Sequence, residues 1–341
     1  MNEEFSMIGR TKLPERTLWR STPRAGIRSA FILALVLLAA SFDTAAQAGR
    51  APSKSEIVAA RELCFQGDYD GAASRFADMA RKYPASPAGE FYQAITLIWK
   101  SYVDAVSLAS GTRTFDAEME SLLEGVVAKA EAQRTRPDKS KQNEVEALYF
   151  LGSAAGARAR ASFFQNRAIP AAKLARTAQD YFDELLKLDP NYWDGYYAPG
   201  NIYYAVGLVT DTPVGKVATT VVGQKSLPTG DLARGLSYLK TAAEKSEVTS
   251  VDAKLALLQS YTLNEGRFEE ALVIARELQA KYPANQTFAR YLLKIYSGLK
   301  DRAKLTQTAQ QILAAVKEGK PNFGTFVKAE AERYLAEAGK L

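Results

Sequence analysis

The chain has 341 residues, 47% of them hydrophobic, and carries 44 basic against 38 acidic side chains. That is ample apolar material for a core, and the two signs of charge are interspersed, so the clustered cations of a nucleic-acid footprint are missing. There is no histidine and one cysteine; this excludes Ser-His-Asp and Cys-His nucleophiles, imidazole acid/base catalysis, histidine metal sites and thiolate clusters.

Five basic residues, Lys12, Arg16, Arg20, Arg24 and Arg28, precede the apolar run AFILALVLLAASF from Ala30 to Phe42, and Ala46-Gln47-Ala48 follows. Charged, apolar, then small residues is the order of a secretory signal peptide, residues 1–48, with cleavage expected after Ala48. Asp43 ends the run well short of the ~20 apolar residues that span a bilayer, so no transmembrane span is expected in the mature chain. A periplasmic or otherwise exported location follows. The 38 basic and 34 acidic residues beyond Ala48 leave a net +4. In an exported chain the lone Cys64 has no disulfide partner, and its place in the pattern Ile57, Ala60, Leu63, Cys64 reads as a small buried hydrophobe.

Residues 49–341 read as one all-α domain, because alanine is abundant, Gly and Pro are sparse, and long Ala/Leu/Lys/Glu/Arg runs favour helix. SEIVAARELCFQGDY forms a first helix with Ile57, Ala60 and Cys64 on one face. DGAASRFADMARKY forms a second, with Ala72, Phe76 and Met79 at helical spacing before Pro84 stops it. The offsets of Ala72, Phe76 and Pro84 recur at Ala178, Phe182 and Pro190 and at Ala271, Ala275 and Pro283. This spacing resembles the tetratricopeptide repeat, in which a small residue sits at the helix crossing, an aromatic fills the layer between repeats and proline closes the unit. The resemblance implies an α-solenoid of antiparallel helical hairpins, a TPR-like right-handed superhelix. Glu56 stands where the family has a large aromatic.

Residues 86–106 and the segment FDAEMESLLEGVVAKAEAQ read as a longer, degenerate hairpin. The polar run Arg134 to Glu144 reads as a surface loop. EVEALYFLGSAAGARARASFFQ is a long helix in which Gly152 takes the repeat's small position, and the helix after it holds Pro170 in its first turn. In the aromatic stretch NYWDGYYAPGNIYYAVG, Tyr196, Gly200 and Tyr203 fall on core positions. Tyr197, Asn201 and Tyr204 lie on the adjacent stripe, which in tetratricopeptide proteins resembles the inner, ligand-facing side. Two readings of that stripe stay open: inter-helix packing, or a binding surface for which tyrosine is well suited.

Leu208 to Asp231 is rich in Gly, Pro, Thr and Val and exceeds the ~12 to 15 residues of ordinary loops; it reads as an insertion or as a contact beside the aromatic helix. Its VGKVATTVV is not a phosphate-binding loop, since Thr210 stands where the first glycine belongs and Val217 where Ser or Thr would hold magnesium. GDLARGLSYLKTAAEKS, Val251 to Asn264, GRFEEALVIARELQAKYP and the segments 284–298, 300–318 and 322–338 complete the helices, the last serving as a cap. Gly230-Asp231, Gly235-Leu236 and Leu239 also resemble a eukaryotic tetratricopeptide family linked to inclusion-body clearance.

The carboxylates Asp180, Asp183, Glu184, Glu118 and Glu120 lie on helices where charge marks the solvated face, so the chain is not expected to be an enzyme, and no cofactor or metal is expected. GDYDGAASRFADMARKYPASP is locally similar to exported subunits of outer-membrane assembly and cell-division machinery. The resemblance therefore implies a scaffold that binds a protein or peptide partner on its concave face. The alternative is a periplasmic small-molecule-binding component, like the tetratricopeptide subunits associated with some transporters.

Overall fold

The computed structural model describes residues 51–101, 103, 115–137, 140–210, 212 and 227–340. The expected signal peptide, most of the Leu208 to Asp231 insertion and the end of the 86–106 segment lie outside them. Among the described residues there are thirteen α-helices and no strand, and no helix is long and apolar enough to cross a membrane.

The helices are α1 (Lys54–Gln66), α2 (Tyr69–Lys82), α3 (Ala88–Ser101), α4 (Asp116–Arg134), α5 (Lys141–Phe164), α6 (Ala168–Leu188), α7 (Tyr197–Thr210), α8 (Leu232–Lys245), α9 (Ser250–Gln259), α10 (Phe268–Lys281), α11 (Gln286–Gly298), α12 (Arg302–Lys317) and α13 (Thr325–Ala338). A 3₁₀ turn, Trp193–Tyr196, leads into α7, and a π turn, Ser260–Glu265, extends α9. Ser53 caps α1 reciprocally with Glu56, which accepts from the Ser53 backbone N–H at 2.9 Å. The residue that departs from the repeat's aromatic is thus a capping residue.

The three proline-closed segments end alike. Tyr83, Asp189 and Tyr282 leave helical geometry at (φ, ψ) of (−124°, 66°), (−138°, 90°) and (−128°, 63°). The ring of the following proline excludes the α region from the residue before it. Each of the three donates its backbone N–H four residues back, to Met79, Leu185 and Leu278 at 2.8 to 2.9 Å, and then accepts from the residue three positions on, Ser86, Tyr192 and Asn285. Ala72, Phe76, Ala178, Phe182, Ala271 and Ala275 are fully buried. Gly152 lets α6 approach, since a methyl there would stand 2.9 Å from the Phe182 ring.

Each described helix packs on the next in sequence. Beyond that, the closely packed pairs join odd-numbered helices: α1 with α3, α3 with α5, α5 with α7, α7 with α9 and α11 with α13. Odd helices therefore form one layer and even helices flank it.

The odd layer also meets itself across large sequence distances. The buried Arg61 on α1 pairs with Asp252 on α9, and the Trp99 indole N–H on α3 donates to the same carboxylate at 3.1 Å. The Asn285 side chain donates to the Phe65 carbonyl at 3.0 Å, Asn322 donates to the Gly67 carbonyl at 3.0 Å, and Tyr282 donates to Glu62 at 3.0 Å. The Phe65 and Tyr282 rings meet at a tilt with centroids 5.7 Å apart, and Trp99 meets Phe288 at 6.3 Å. An ideal open solenoid has contacts between neighbouring repeats only; here α1 lies against the starts of α9 and α11 and the turn before α13.

Candidate partner-binding site

The aromatic stretch is held by one buried carboxylate. Asp194, in the 3₁₀ turn, accepts from the backbone N–H groups of Val248 at 2.9 Å and Thr249 at 3.3 Å, accepts from the Ser246 hydroxyl, and pairs with Lys54 at 2.9 Å. Burial works against the Lys54 charge, but the hydrogen bond and the field of Asp194 outweigh it, and the ammonium is held above its usual range. The turn is fixed between α1 and the α8–α9 connection, and the rings on either side of Asp194 are oriented with it.

From this turn to α8, rings and cations alternate. The Lys245 ammonium lies 4.4 Å from the Trp193 ring, Trp193 lies 5.7 Å from Tyr196, and Tyr196 meets Tyr238 edge-on at 4.9 Å. Tyr238 meets Tyr203 at 5.8 Å, with the Arg234 guanidinium over both rings at 4.1 Å from Tyr203 and 5.1 Å from Tyr238. Arg234 also donates to the Tyr238 hydroxyl at 2.9 Å and stands 3.5 Å from Asp183, which accepts from the Tyr203 hydroxyl at 3.2 Å. Burial, with the Asp183 charge adding to it, pushes the Tyr203 hydroxyl up to about 12. Trp193, Tyr196 and Tyr238 are half-buried, while Arg234 and Lys245 are exposed. This ladder runs from the α6 surface across the start of α7 to α8, and it presents the residue types that carry most interface energy, Trp, Tyr and Arg.

The three residues expected on the inner stripe stand differently. Tyr204 is buried, 5% exposed, its hydroxyl donating to Glu265 at 3.0 Å and its backbone in close contact with Gly235. Asn201 is half-buried and donates to the Tyr197 carbonyl one turn back at 3.3 Å. Tyr197 is half-buried against the core. Tyr204 is thus enclosed between α7, α8 and the π turn rather than open to a groove. Of the neighbouring stripe, Tyr203 and Gly200 are buried and Tyr196 is half-buried. Sequence reasoning missed Trp193, Tyr238, Arg234 and Lys245; the Arg234/Tyr238 spacing of four was the available signal, since it puts both on one helical face.

The helical carboxylates are engaged with cations: Asp180 with Arg176 at 2.8 Å, Glu184 with Arg134 at 3.2 Å, and Glu120 with Arg158 at 2.7 Å. No group of three or more metal-ligating side chains is assembled among the described residues. The insertion ends at an ordered anchor, where both amide atoms of the buried Gln179 pair with the Thr229 backbone, donating to its carbonyl at 2.7 Å and accepting from its N–H at 2.8 Å. No protein-family model matches the chain, and no curated protein is significantly similar to it.

Proposed function

We propose that this chain is an exported, tetratricopeptide-like helical adaptor that binds a protein or peptide partner through the ladder formed by Trp193, Tyr196, Tyr238, Arg234 and Lys245. The observation that carries the reading is this alternation of half-exposed rings and cations on a turn locked by Asp194. Rigid rings lose little entropy on docking, and guanidinium over an aromatic face is already oriented for a carboxylate or carbonyl. The repeat-like architecture is supported by the three equivalent proline turns and by the odd-on-odd packing of the helices. Residues 1–48 supply the export signal in this reading.

The test is capture of partners from an envelope extract on the purified mature chain. Trp193→Ala combined with Tyr238→Ala is expected to lower recovery of a specific partner at least about tenfold, the effect of losing two hot-spot residues. Undiminished recovery with both rings removed overturns the assignment. Mass spectrometry of the secreted species checks cleavage after Ala48.

A further inference from the structure

The turn between α5 and α6 is closed by its own backbone. Asn166 sits in the left-handed region at φ 58°, which asparagine tolerates. Its N–H donates to the Phe163 carbonyl at 3.0 Å, and the Arg167 N–H donates to the Ser162 carbonyl at 2.9 Å. This pair of bonds is a Schellman ending, which often carries an apolar contact across it. Here the outer positions are Ser162 and Arg167. The apolar residues of the last turn, Phe163 and Phe164, stand in solvent at 58% and 53% exposure, with Ile169 at 55% on the other side of the turn. The Gln165 side chain donates to Asp116 at 2.7 Å, which fixes the turn against the start of α4.

Single exposed hydrophobes are ordinary on a protein surface and need no explanation. This group is set apart by the charge around it. From Ala147 to Gln179 the chain holds Arg158, Arg160, Arg167, Lys173 and Arg176 and no carboxylate. Arg158 engages Glu120 at 2.7 Å and Arg176 engages Asp180 at 2.8 Å, whereas Arg167 and Lys173 are exposed. The carboxylates that α4 brings to the turn, Asp116 and Glu120, are already engaged by Gln165 and Arg158.

Apolar and basic side chains are also layered along the hairpin. Arg160 precedes Phe164 by four residues and Lys173 follows Ile169 by four. Each cation therefore shares a helical face with an apolar residue and lies one turn, about 5.4 Å, behind it. The Arg160 guanidinium reaches over the Phe164 ring, 5.1 Å from its centroid. Apolar groups at the end of a hairpin with cations one turn behind match the depth order of a bilayer surface, acyl chains first and phosphates above them. The three side chains offer on the order of 300 Å² of apolar area, well below the ~1,200 Å² of a stable protein interface.

We propose that the α5–α6 turn is a membrane-contact tip. Phe163, Phe164 and Ile169 enter the interface of an anionic phospholipid surface, and Arg160, Arg167 and Lys173 meet its phosphates. Attraction to such a surface grows with each cation and fades within a Debye length. No described helix is long and apolar enough to cross a membrane, so the contact is made from the surface. The tip shares no residue with the aromatic ladder, and the inference goes beyond the adaptor reading without depending on it.

The test is co-sedimentation of the chain from Gly49 onward with lipid vesicles. That chain is a compact unit holding every described helix, and it lacks the apolar run Ala30 to Phe42, which would bind lipid by itself. Vesicles containing phosphatidylglycerol are expected to retain it at least about tenfold better than vesicles of phosphatidylcholine, the effect of two or three cations near an anionic surface, with the difference lost in high salt. Phe163→Ser/Phe164→Ser should lower partitioning about tenfold or more by removing the inserted area. Arg167→Gln/Lys173→Gln should lower it about tenfold on the anionic vesicles alone. All four positions are exposed, so far-UV circular dichroism and thermal melts should match the parent. Retention on anionic vesicles that either pair leaves unchanged, equal retention on both lipids, or no retention overturns the tip. So does a dimer in sedimentation velocity, in place of lipid binding, that Phe163→Ser/Phe164→Ser dissolves, since the turn would then join two copies. The capture assay for the ladder alters other residues, so the two readings fail separately.

Discussion

Arg61 and Asp252, 191 positions apart, form a buried ion pair whose side chains are 5% and 4% exposed. The Arg61 guanidinium also lies 5.0 Å from the Phe65 ring and 5.2 Å from the Tyr92 ring. Burial opposes its charge, Asp252 more than compensates, and the group is held above its usual range. Removing one partner leaves the other charge buried and unpaired, which costs about 3 to 5 kcal/mol. Arg61→Met and Asp252→Asn are each expected to lower stability by that order in urea unfolding. The double variant Arg61→Met/Asp252→Asn should lose clearly less than the two single losses together, because it leaves no orphaned charge and keeps an acceptor for the Trp99 indole N–H.

The enclosure of Tyr204 and the half-exposure of Trp193 separate a core tyrosine from a surface ring. Tyr204→Ala deletes a buried aromatic and should destabilise the protein by about 3 to 5 kcal/mol. Trp193→Ala should change stability much less while lowering partner recovery. Thermal melts of the two variants beside the capture assay check both halves of the expectation.

At Gly235 a methyl group would stand 2.6 Å from the Tyr204 backbone nitrogen, and at Gly324 nothing lies within 4 Å. Gly235→Ala therefore forces α7 and α8 apart and is expected to cost about 1 to 3 kcal/mol. Gly324 has φ −96° and ψ −166°, which alanine adopts freely. Gly324→Ala should be neutral or stabilising by up to about 1 kcal/mol through the unfolded chain. Equilibrium urea curves of the pair test the contrast.

Glu56 carries the clearest acid response. Its hydrogen bond with Lys82, then the Ser53 backbone N–H, lowers its carboxyl from the usual 4.5 to about 2. A lowered carboxylate stabilises the native state at pH above the unfolded value and loses that contribution as pH falls through the folded one. Stability from this cap should accordingly decline between pH 4.5 and about 2. Glu56→Gln should flatten that part of the stability profile and fray the start of α1, read by amide hydrogen exchange of residues 54–57.

The helices and their proline-closed ends were legible because their signals are local. Alanine and proline at fixed offsets, with an aromatic between them in two of the three segments, dictate a close crossing and an excluded α conformation, and they act within a dozen residues. The site was only half legible. Helical periodicity says that Tyr197, Asn201 and Tyr204 share a stripe, but it does not say that Glu265, 61 residues beyond Tyr204, covers the end of that stripe. Nor does it say that Tyr238 from α8 completes a row of rings begun by Trp193 and Tyr196.

What the sequence by itself determined is the helical class, the positions of the proline turns and the stretch in which aromatic chemistry is concentrated. These follow from propensity and sterics between residues close in the chain. Tertiary structure alone decided that Arg61 meets Asp252, that α1 lies against α9 and α11, and that Trp193, Tyr196 and Tyr238 form one half-buried row of rings. Burial and ion pairing are properties of surfaces that come together from distant parts of the chain, and neither a period nor a motif records which surface arrives.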